Sequence, residues 1–278
     1  MVSKRLQEVP ASGTIAISNL VSQMKAEGVD IVSFSMGEPD FTTPENIIDA
    51  CCDSLHAGFT HYTPSTGIPE LREAVAEMEN RVDGVPCKAS NVLITPTKQA
   101  IFMIALAYID PGDEVILMDP TWVSYEACIR LAEGVPVYVS AKYEDEFVVD
   151  PAMIEAAVTP RTKMIILNTP SNPTGTVMPR EVLKQIADIA IANDIMVLSD
   201  EIYEAIIYEG KHTSIASFPG MFDRTLLVSG LSKTYAMTGW RVGVIIAEPE
   251  FLDVMNRING SLVYSAPSIS QRAGIQAL

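Results

Sequence analysis

A lysine and an arginine stand eight residues apart in the stretch Ser229-Gly-Leu-Ser-Lys-Thr-Tyr-Ala-Met-Thr-Gly-Trp-Arg-Val-Gly243. Short apolar runs flank it at 226–228 and 242–247, which predicts that Lys233 lies at the mouth of a buried sheet. A lysine in a dry pocket is a nucleophile because desolvation favours its uncharged amine, and its usual target is a carbonyl. The planar guanidinium of Arg241 is suited to a phosphate. This stretch alone leaves open that both cations lie on the solvated face of a loop.

Short apolar runs also organise the rest of the chain from residue 92 onward. They fall at 92–94, 115–118, 135–139, 164–167, 195–198, 226–228 and 242–247. They are continuous rather than alternating, which is typical of strands covered on both faces. Helical patterns separate several of them, at 100–108, 125–132 and 179–192. This alternation predicts an α/β fold, a three-layer domain around a mostly parallel seven-stranded sheet.

The chain before residue 92 predicts helices and turn-rich loops. An arm leads into a helix at about 17–26, which Gly28 ends, and a second helix runs from Pro44 to near Gly58. A third covers 71–82, where apolar residues recur on one face. The segments 36–41 and 61–67 are expected to be loops.

Composition restricts the classes of partner and the compartment. The 278 residues are 48% hydrophobic and 19% charged, which is typical of a globular protein, and the net charge of -16 argues against nucleic acid or anionic membrane as a general partner. Four cysteines are too few for a disulfide scaffold and lack paired metal-ligand spacing. The N-terminus has no stretch like a signal peptide, and runs such as 101–109 are too short to span a bilayer. We expect a cytoplasmic protein.

Candidate ligand-binding residues follow five of the predicted strands. Ligands of open α/β sheets bind at the carboxyl ends of the strands. Here these ends lead into the segments 95–99, 119–123, 168–175, 199–203 and 229–243. The first begins a helix, where backbone donors favour a phosphate. The five segments therefore predict one site for a ligand with a reactive carbonyl and a phosphate, as in pyridoxal phosphate.

Five motifs in this order resemble the class I and II aminotransferases, fold type I enzymes that use pyridoxal 5'-phosphate. They are Gly37-Glu-Pro-Asp-Phe41, Tyr62-Thr-Pro-Ser-Thr-Gly67, Asn172-Pro-Thr-Gly175, Asp200-Glu-Ile-Tyr203 and Ser232-Lys-Thr-Tyr-Ala-Met-Thr-Gly-Trp-Arg241. The match runs from about residue 15 to the end of the chain and looks closest to the aspartate aminotransferase subgroup. The resemblance implies ping-pong transfer of an amino group, first of all from aspartate, to a 2-oxo acid such as 2-oxoglutarate. It also implies a homodimer in amino acid metabolism, in a biosynthetic role.

The resemblance assigns catalytic roles to residues of the last three motifs. Lys233 would hold the cofactor covalently and move a proton between the substrate's Cα and the cofactor's C4′. Asp200 would pair with the ring nitrogen and keep it protonated. Tyr203 and Asn172 would donate to the phenolic oxygen, and Asn172 would also lie at the substrate. The alternatives are a solvated or helix-capping acid for Asp200 and a turn residue for Asn172.

Further cofactor and substrate contacts are implied in the same way. Trp122 would lie against the ring, and Arg241 would cup the phosphate together with the backbone around Thr97 and Lys98. Tyr62 would reach the phosphate of the neighbouring subunit, which implies shared active sites. The alternatives are a core tryptophan and a half-buried loop tyrosine. In addition, the backbone of Gly37 would lie close to the substrate's α-carboxylate.

The chain departs from the family pattern in the phosphate cup. Pro96-Thr-Lys98 stands where many relatives have a glycine pair or Ser-Gly-Thr, and proline supplies no N–H. Gly230 stands where several relatives have a phosphate-binding serine. Ser229 or Ser232 would then substitute, or neither would.

The domain organisation is expected to be incomplete. Residues 1–30 are expected to form an arm and helix of the small domain, and 31–278 the large cofactor-binding domain. The family's C-terminal small-domain segment, with its carboxylate-binding arginine, is not seen, and Arg257 and Arg272 look like helix-surface residues. Two alternatives follow: another reaction on the same scaffold (β-lyase, decarboxylase or cyclopropane-forming synthase), or a truncated, non-catalytic domain that binds pyridoxal phosphate.

Overall fold

The computed structural model describes residues 3–7, 9, 13–34 and 37–278. Parts of the predicted arm and of the loop at 36–41 therefore lie outside the described residues. Helices α1 (Lys4–Gln7) and α2 (Gly13–Ala26) begin the described chain. Helix α2 begins earlier than the predicted 17–26, and Gly28 follows it with a φ of +83°.

All seven predicted strands belong to one sheet. They are β1 (Val92–Ile94), β2 (Glu114–Asp119), β3 (Val135–Ser140), β4 (Thr162–Asn168), β5 (Met196–Asp200), β6 (Thr225–Gly230) and β7 (Gly243–Ile246). The spatial order is β1-β7-β6-β5-β4-β2-β3. Strand β7 is antiparallel to both of its neighbours, and the other pairs are parallel. The prediction of a mostly parallel seven-stranded sheet is confirmed.

Helices precede, connect and follow the strands along the chain. They are α3 (Glu45–His56), α4 (Pro69–Val82), α5 (Thr97–Tyr108), α6 (Val123–Leu131), α7 (Pro151–Ala157), α8 (Arg180–Ala192), α9 (Leu231–Thr234), α10 (Pro249–Leu262) and α11 (Ser268–Ala277). The sequence analysis missed α7, although its start carries a clear signal. Asp150 caps it by accepting a 2.9 Å hydrogen bond from the backbone N–H of Ala152, and Pro151 occupies the first turn.

Helices cover both faces of the sheet, which confirms the three layers. Helices α5, α6 and α10 pack on one face, where Leu117 meets Ile104 and Ile129. Helices α7 and α8 pack on the other face, where the neighbouring strand residue Ile116 meets Leu183. Helices α3, α4 and α11 cover β1 and β7. Neighbouring residues of a strand point to opposite faces of the sheet, and helices cover both faces. The strand sequences are therefore apolar at successive positions.

The assignment of 1–30 to a small domain and of 31–278 to a large domain stays a prediction. Helix α11 packs against α3 and α4, so the last described helix belongs to the same packed unit as the sheet. None of the described helices combines the length and the apolar character needed to cross a bilayer.

Gly67 closes the loop at 61–67 against strand β1, and its replacement is expected to destabilise the fold. Its φ is +102°, and a Cβ there would lie 2.3 Å from Cγ1 of Ile94. Gly58 has a similar φ of +82° but open space around it. Gly58→Ala should cost about 1–2 kcal/mol of backbone strain. Gly67→Ala should cost a further ~1–3 kcal/mol because the core is overpacked. Urea unfolding of the two variants measures the difference, and equal losses would contradict the steric account.

Candidate active site

The carboxyl ends of the strands surround one cleft of about 1100 Å³. Its walls contain every site residue predicted from the sequence except Tyr62. These residues are Gly37, Thr97, Lys98, Trp122, Asn172, Asp200, Tyr203, Lys233 and Arg241. They come from segments that are far apart in the sequence, and the strand ends bring them together.

Lys233 lies in the short helix α9, directly after the fully buried strand β6. Its amine donates a hydrogen bond to the carbonyl of Gly37 and lies 5.8 Å from the ring centre of Tyr203. Burial lowers the pKa of Lys233, and the guanidinium of Arg241 lowers it further, while Glu38 opposes both effects. The amine is therefore more nucleophilic than that of a solvated lysine.

Gly230 allows the turn between β6 and α9 to approach the start of α5 closely. A Cβ on Gly230 would lie 2.8 Å from Cα of Gly243 and 2.9 Å from Oγ1 of Thr97. A serine at this position would not fit without a backbone shift. Of the two serines considered as substitutes, Ser232 lines the cleft, whereas Ser229 is buried within β6 and is not part of the lining.

Asp200 ends strand β5 and is buried, with 3% of its surface exposed. Its Oδ2 accepts a 2.7 Å hydrogen bond from Oη of Tyr125, and its Oδ1 accepts one of 3.3 Å from the N–H of Ile202. Burial raises the pKa of Asp200 to about 6, Glu201 adds to this, and the two hydrogen bonds partly offset it. Within the described part of the chain no cation pairs with it. A buried carboxylate without a counter-ion suits a cationic group of a ligand.

An amide and a phenol meet beside Asp200. Nδ2 of Asn172 lies 3.4 Å from Oη of Tyr203 and donates to it. Asn168 fixes this arrangement, because its Oδ1 accepts a 2.6 Å bond from the N–H of Asn172 and its Nδ2 donates to the carbonyl of Asp200. The Asn172–Pro173 peptide bond is cis. Asn172 therefore stands in a turn before Pro173 and also lines the cleft, so both interpretations that the sequence left open fit its position.

The start of α5 and Arg241 form a cationic end of the cleft. The first backbone N–H groups of this helix have no hydrogen-bond partner within the helix and can bind an anion. Pro96, which stands just before the helix, has no N–H group to add to them. Oγ1 of Thr97 donates to the carbonyl of Ser229 at 3.3 Å, which fixes the helix start against β6. Arg241 adopts a left-handed φ of +57°, and its Nη1 donates to the carbonyl of Thr238 at 2.8 Å. This end suits an anion such as a phosphate.

Trp122 precedes α6 and lines the cleft. Its ring is half-buried and meets Tyr125 edge to face at 5.2 Å. The amine of Lys98 lies 4.7 Å from the centre of the indole. Trp122 therefore packs against the edge of the core and also lines the cleft, and its place against a cofactor ring stays a prediction.

Tyr62 lies away from the cleft, and so do the two arginines that the sequence analysis expected on helix surfaces. Tyr62 is 88% exposed and contacts Tyr264 edge to face at 5.2 Å, so its role at a neighbouring subunit stays a prediction. Arg257 is exposed on α10. Arg272 lies 4.3 Å over the ring of Phe59 and also contacts a carboxylate of α4. Neither arginine lines the cleft.

Sequence reasoning missed Tyr125, Asn168 and Glu38. Tyr125 stands three residues after Trp122 at the start of α6, a spacing that places both on one helix face. Asn168 is the last residue of β4, and Glu38 accepts a 2.9 Å bond from Oγ1 of Thr238. The first two could have been found by applying the strand-end rule to every polar residue; the contact of Glu38 depends on tertiary packing.

Tyr125→Phe is expected to weaken the site without unfolding it. Burial, together with Asp200, holds the pKa of the Tyr125 phenol well above its usual range, so the phenol stays a hydrogen-bond donor. Loss of a bond to a charged group costs about 1.5–3 kcal/mol, which corresponds to about a 10- to 150-fold loss of kcat/KM. The pKa of Asp200 should also rise, moving the acidic limb of the pH–rate profile to higher pH. An unchanged profile would show that Tyr125 does not hold Asp200.

The side chains of the cleft fit pyridoxal phosphate group by group. Lys233 offers an amine for the aldehyde, Asp200 a buried acid for the ring nitrogen, and Asn172 with Tyr203 donors for the phenolic oxygen. The start of α5 and Arg241 suit the phosphate. Together the α/β fold and this donor set define the class of pyridoxal-phosphate enzymes of fold type I.

Comparison with known proteins identifies the family within this class. The family model of aminotransferase class I and II matches residues 29–278. The chain therefore belongs to the class I and II aminotransferases, and its cofactor is pyridoxal 5'-phosphate.

Similar proteins come from bacteria and plants. The chain is 42% identical to an aspartate/prephenate aminotransferase of Thermus thermophilus, covering 100% of this chain and 72% of that protein. It is 41% identical to a bifunctional aspartate aminotransferase and glutamate/aspartate-prephenate aminotransferase of Petunia hybrida, covering 100% of this chain and 58% of that protein. The structure of the Thermus thermophilus aspartate aminotransferase with maleate superposes with a TM-score of 0.97 at 41% identity, over 100% of this chain and 72% of that chain.

Proposed function

We propose that this aminotransferase takes its amino group from aspartate and passes it to a 2-oxo acid such as 2-oxoglutarate, with Lys233 as the proton carrier. The observation that carries the proposal is the pairing, in one cleft, of a half-buried amine of lowered pKa with a buried carboxylate that has no counter-ion. The names of the Thermus and Petunia relatives support aspartate as donor.

The residues divide the chemical work between them. When bound, pyridoxal phosphate supplies a ring that withdraws electrons from the substrate's Cα. Asp200 keeps the proton on the ring nitrogen, because a carboxylate held at that atom favours the cationic form. The amine of Lys233 would carry the proton between the substrate's Cα and the bound cofactor, in one direction with the amino acid and in the other with the 2-oxo acid. Asn172 and Tyr203 hold the phenolic oxygen by donating to it.

Other residues position the cofactor and substrate in this account. Trp122 would cover one face of the ring, since an indole packs well on a planar group. Arg241, Thr97 and Lys98 would hold the phosphate. The backbone of Gly37, which already accepts from Lys233, lies where the substrate's α-carboxylate would approach. The homodimer with Tyr62 at the neighbouring site, the cytoplasmic location and the biosynthetic role stay predictions.

Product analysis tests the proposal against the other reactions of this scaffold. The chain is loaded with pyridoxal phosphate and mixed with aspartate and 2-oxoglutarate, and with prephenate in a second reaction. Formation of glutamate, together with oxaloacetate or the pyruvate that oxaloacetate gives by spontaneous loss of carbon dioxide, and without ammonia, supports transamination. Ammonia would indicate a lyase, and β-alanine or alanine a decarboxylase. A lysine-dependent visible band with no turnover on a panel of amino acids would favour a non-catalytic cofactor-binding protein.

A further inference from the structure

A buried group of acids lies outside the cleft, between helix α4 and the segment that follows β5. We call Glu79, Asp83, Glu201, Glu204 and His212 the acidic cluster. Glu79 and Asp83 lie at the end of α4, and the other three lie at 201–212. Glu79 and Glu201 are 0% exposed, and the side chain of His212 is 6% exposed. Four carboxyl groups share one pocket with a single imidazole.

The acidic cluster holds most of the unpaired buried polar atoms among the described residues. Seven such side-chain atoms have no hydrogen-bond partner, and five of them belong to this cluster. They are both carboxylate oxygens of Glu79, Oδ2 of Asp83, Oε2 of Glu204 and Nδ1 of His212. Charge interactions link Glu79 to Glu204, Glu201 and Asp83. Buried polar atoms without partners are costly, so their concentration at one point indicates a bound group.

Glu201 orients the imidazole in a way that is typical of metal sites. Its Oε1 accepts from Oγ of Ser199 at 2.7 Å and from Oγ of Ser214 at 2.9 Å, which fixes the carboxylate. Its Oε2 lies 2.6 Å from Nε2 of His212. With the proton on Nε2, the lone pair of Nδ1 stays free. Metal-binding histidines usually donate their other ring N–H to a carboxylate in this manner.

We propose that the acidic cluster binds a divalent transition-metal ion through Nδ1 of His212 and the carboxylates of Glu204, Glu79 and Asp83. One ligand atom of Glu204 lies within 4.8 Å of one of His212 and of one of Glu201, so the carboxylate of Glu204 stands beside the Glu201–His212 pair. The charge interactions of Glu79 with Glu204, Glu201 and Asp83 place the other carboxylates near the same point. One imidazole with carboxylates suits Zn²⁺ or Mn²⁺, whereas Mg²⁺ prefers oxygen ligands and keeps its waters. The ion would tie α4 to the segment that carries Asp200 and Tyr203.

Zinc binding to the cofactor-loaded chain tests the proposal. Chelator-treated protein is freed of excess cofactor and titrated with Zn²⁺, with bound metal measured after dialysis. The matched variants are Glu79→Gln and His212→Gln in the cluster, and Glu77→Gln and His61→Gln at exposed positions. We expect one Zn²⁺ per chain in the wild type and in both controls. Glu79→Gln should bind at least about tenfold more weakly, and His212→Gln should lose the stoichiometric site.

The effect of Zn²⁺ on thermal unfolding gives a second readout of the site. Zn²⁺ should raise the thermal unfolding midpoint of the wild type and of Glu77→Gln, and raise it much less in Glu79→Gln. Glu79→Gln keeps the shape of the side chain, so it decides the outcome even where His212→Gln does not fold. No saturable binding, or equal affinity in Glu79→Gln and Glu77→Gln, would overturn the site and leave the cluster neutralised by protons alone.

Discussion

Replacing Lys233 by alanine is expected to remove both the covalent cofactor band and measurable transamination. In the proposed mechanism the amine of Lys233 is the nucleophile, and its burial and lowered pKa suit that role. Proton transfer by a positioned side chain is worth about 10²–10⁴-fold, and the variant loses the covalent anchor as well. We therefore expect at least about a 10³-fold fall in kcat. Visible absorption reports the band, and detection of the 2-oxo acid product reports turnover.

Lys211→Ala is the matched control for this experiment. Lys211 is exposed on the segment after β5 and does not line the cleft. Its replacement should leave the band and the rate unchanged. A visible band that persists in Lys233→Ala at the wild-type intensity would show that another amine holds the cofactor, and the assignment of the cleft would be wrong.

Asp200→Asn is expected to inactivate the enzyme and, at neutral pH, to stabilise the cofactor-free protein. Asparagine keeps the shape of the side chain but cannot hold the ring nitrogen in its protonated form. Loss of one preorganised electrostatic contact at a reacting group typically costs about 10²–10³-fold in kcat. The stabilisation arises because the carboxylate of Asp200 is buried without a counter-ion.

The pH dependence of stability gives the sign of this second effect. The pKa of Asp200 rises from 3.8 to about 6 on folding, so the folded state holds the proton more tightly. Stability from this group is complete below about pH 4 and is lost as the pH rises through 6. A tenfold change in proton affinity is about 1.4 kcal/mol, so the loss approaches ~3 kcal/mol.

Urea unfolding of the cofactor-free proteins at pH 4.5 and 7.5 measures this effect. The free-energy difference between Asp200→Asn and the wild type should favour the variant by more at pH 7.5 than at pH 4.5. Taking the difference removes the contributions of other titrating groups. A difference that does not change with pH would mean that folding does not raise the pKa of Asp200.

The sheet could be predicted from the sequence because its strands are short, continuous apolar runs between helical patterns. The antiparallel direction of β7 could not. Its residues resemble those of the parallel strands, and its direction follows from the connection. The connection between β6 and β7, residues 231–242, contains only the short helix α9 and a 3₁₀ turn. A parallel partner needs a crossover that returns along the length of the sheet, usually an α-helix, and neither of these elements is long enough for that.

The cleft was predictable by the same logic, since the polar residues after the strands that run in one direction must meet at one edge. The hydrogen bond between Tyr125 and Asp200 joins residues that are 75 positions apart, and no local pattern shows it. Glu79 could have been suspected, because it continues the buried face that Leu71 and Val75 mark on α4. Its meeting with His212 depends on tertiary packing.

Exchange of the Cα hydrogen of aspartate with solvent deuterium is the measurement that tests the central claim most directly. The claim is that Lys233 moves the proton at Cα while Asp200 supports the ring nitrogen. In D₂O, with pyridoxal phosphate and aspartate, the wild type should introduce deuterium at Cα, as detected by NMR. Lys233→Ala should introduce none above the rate of free cofactor. Equal exchange in the variant, or no exchange by a wild type that shows the lysine-dependent band, would contradict the account.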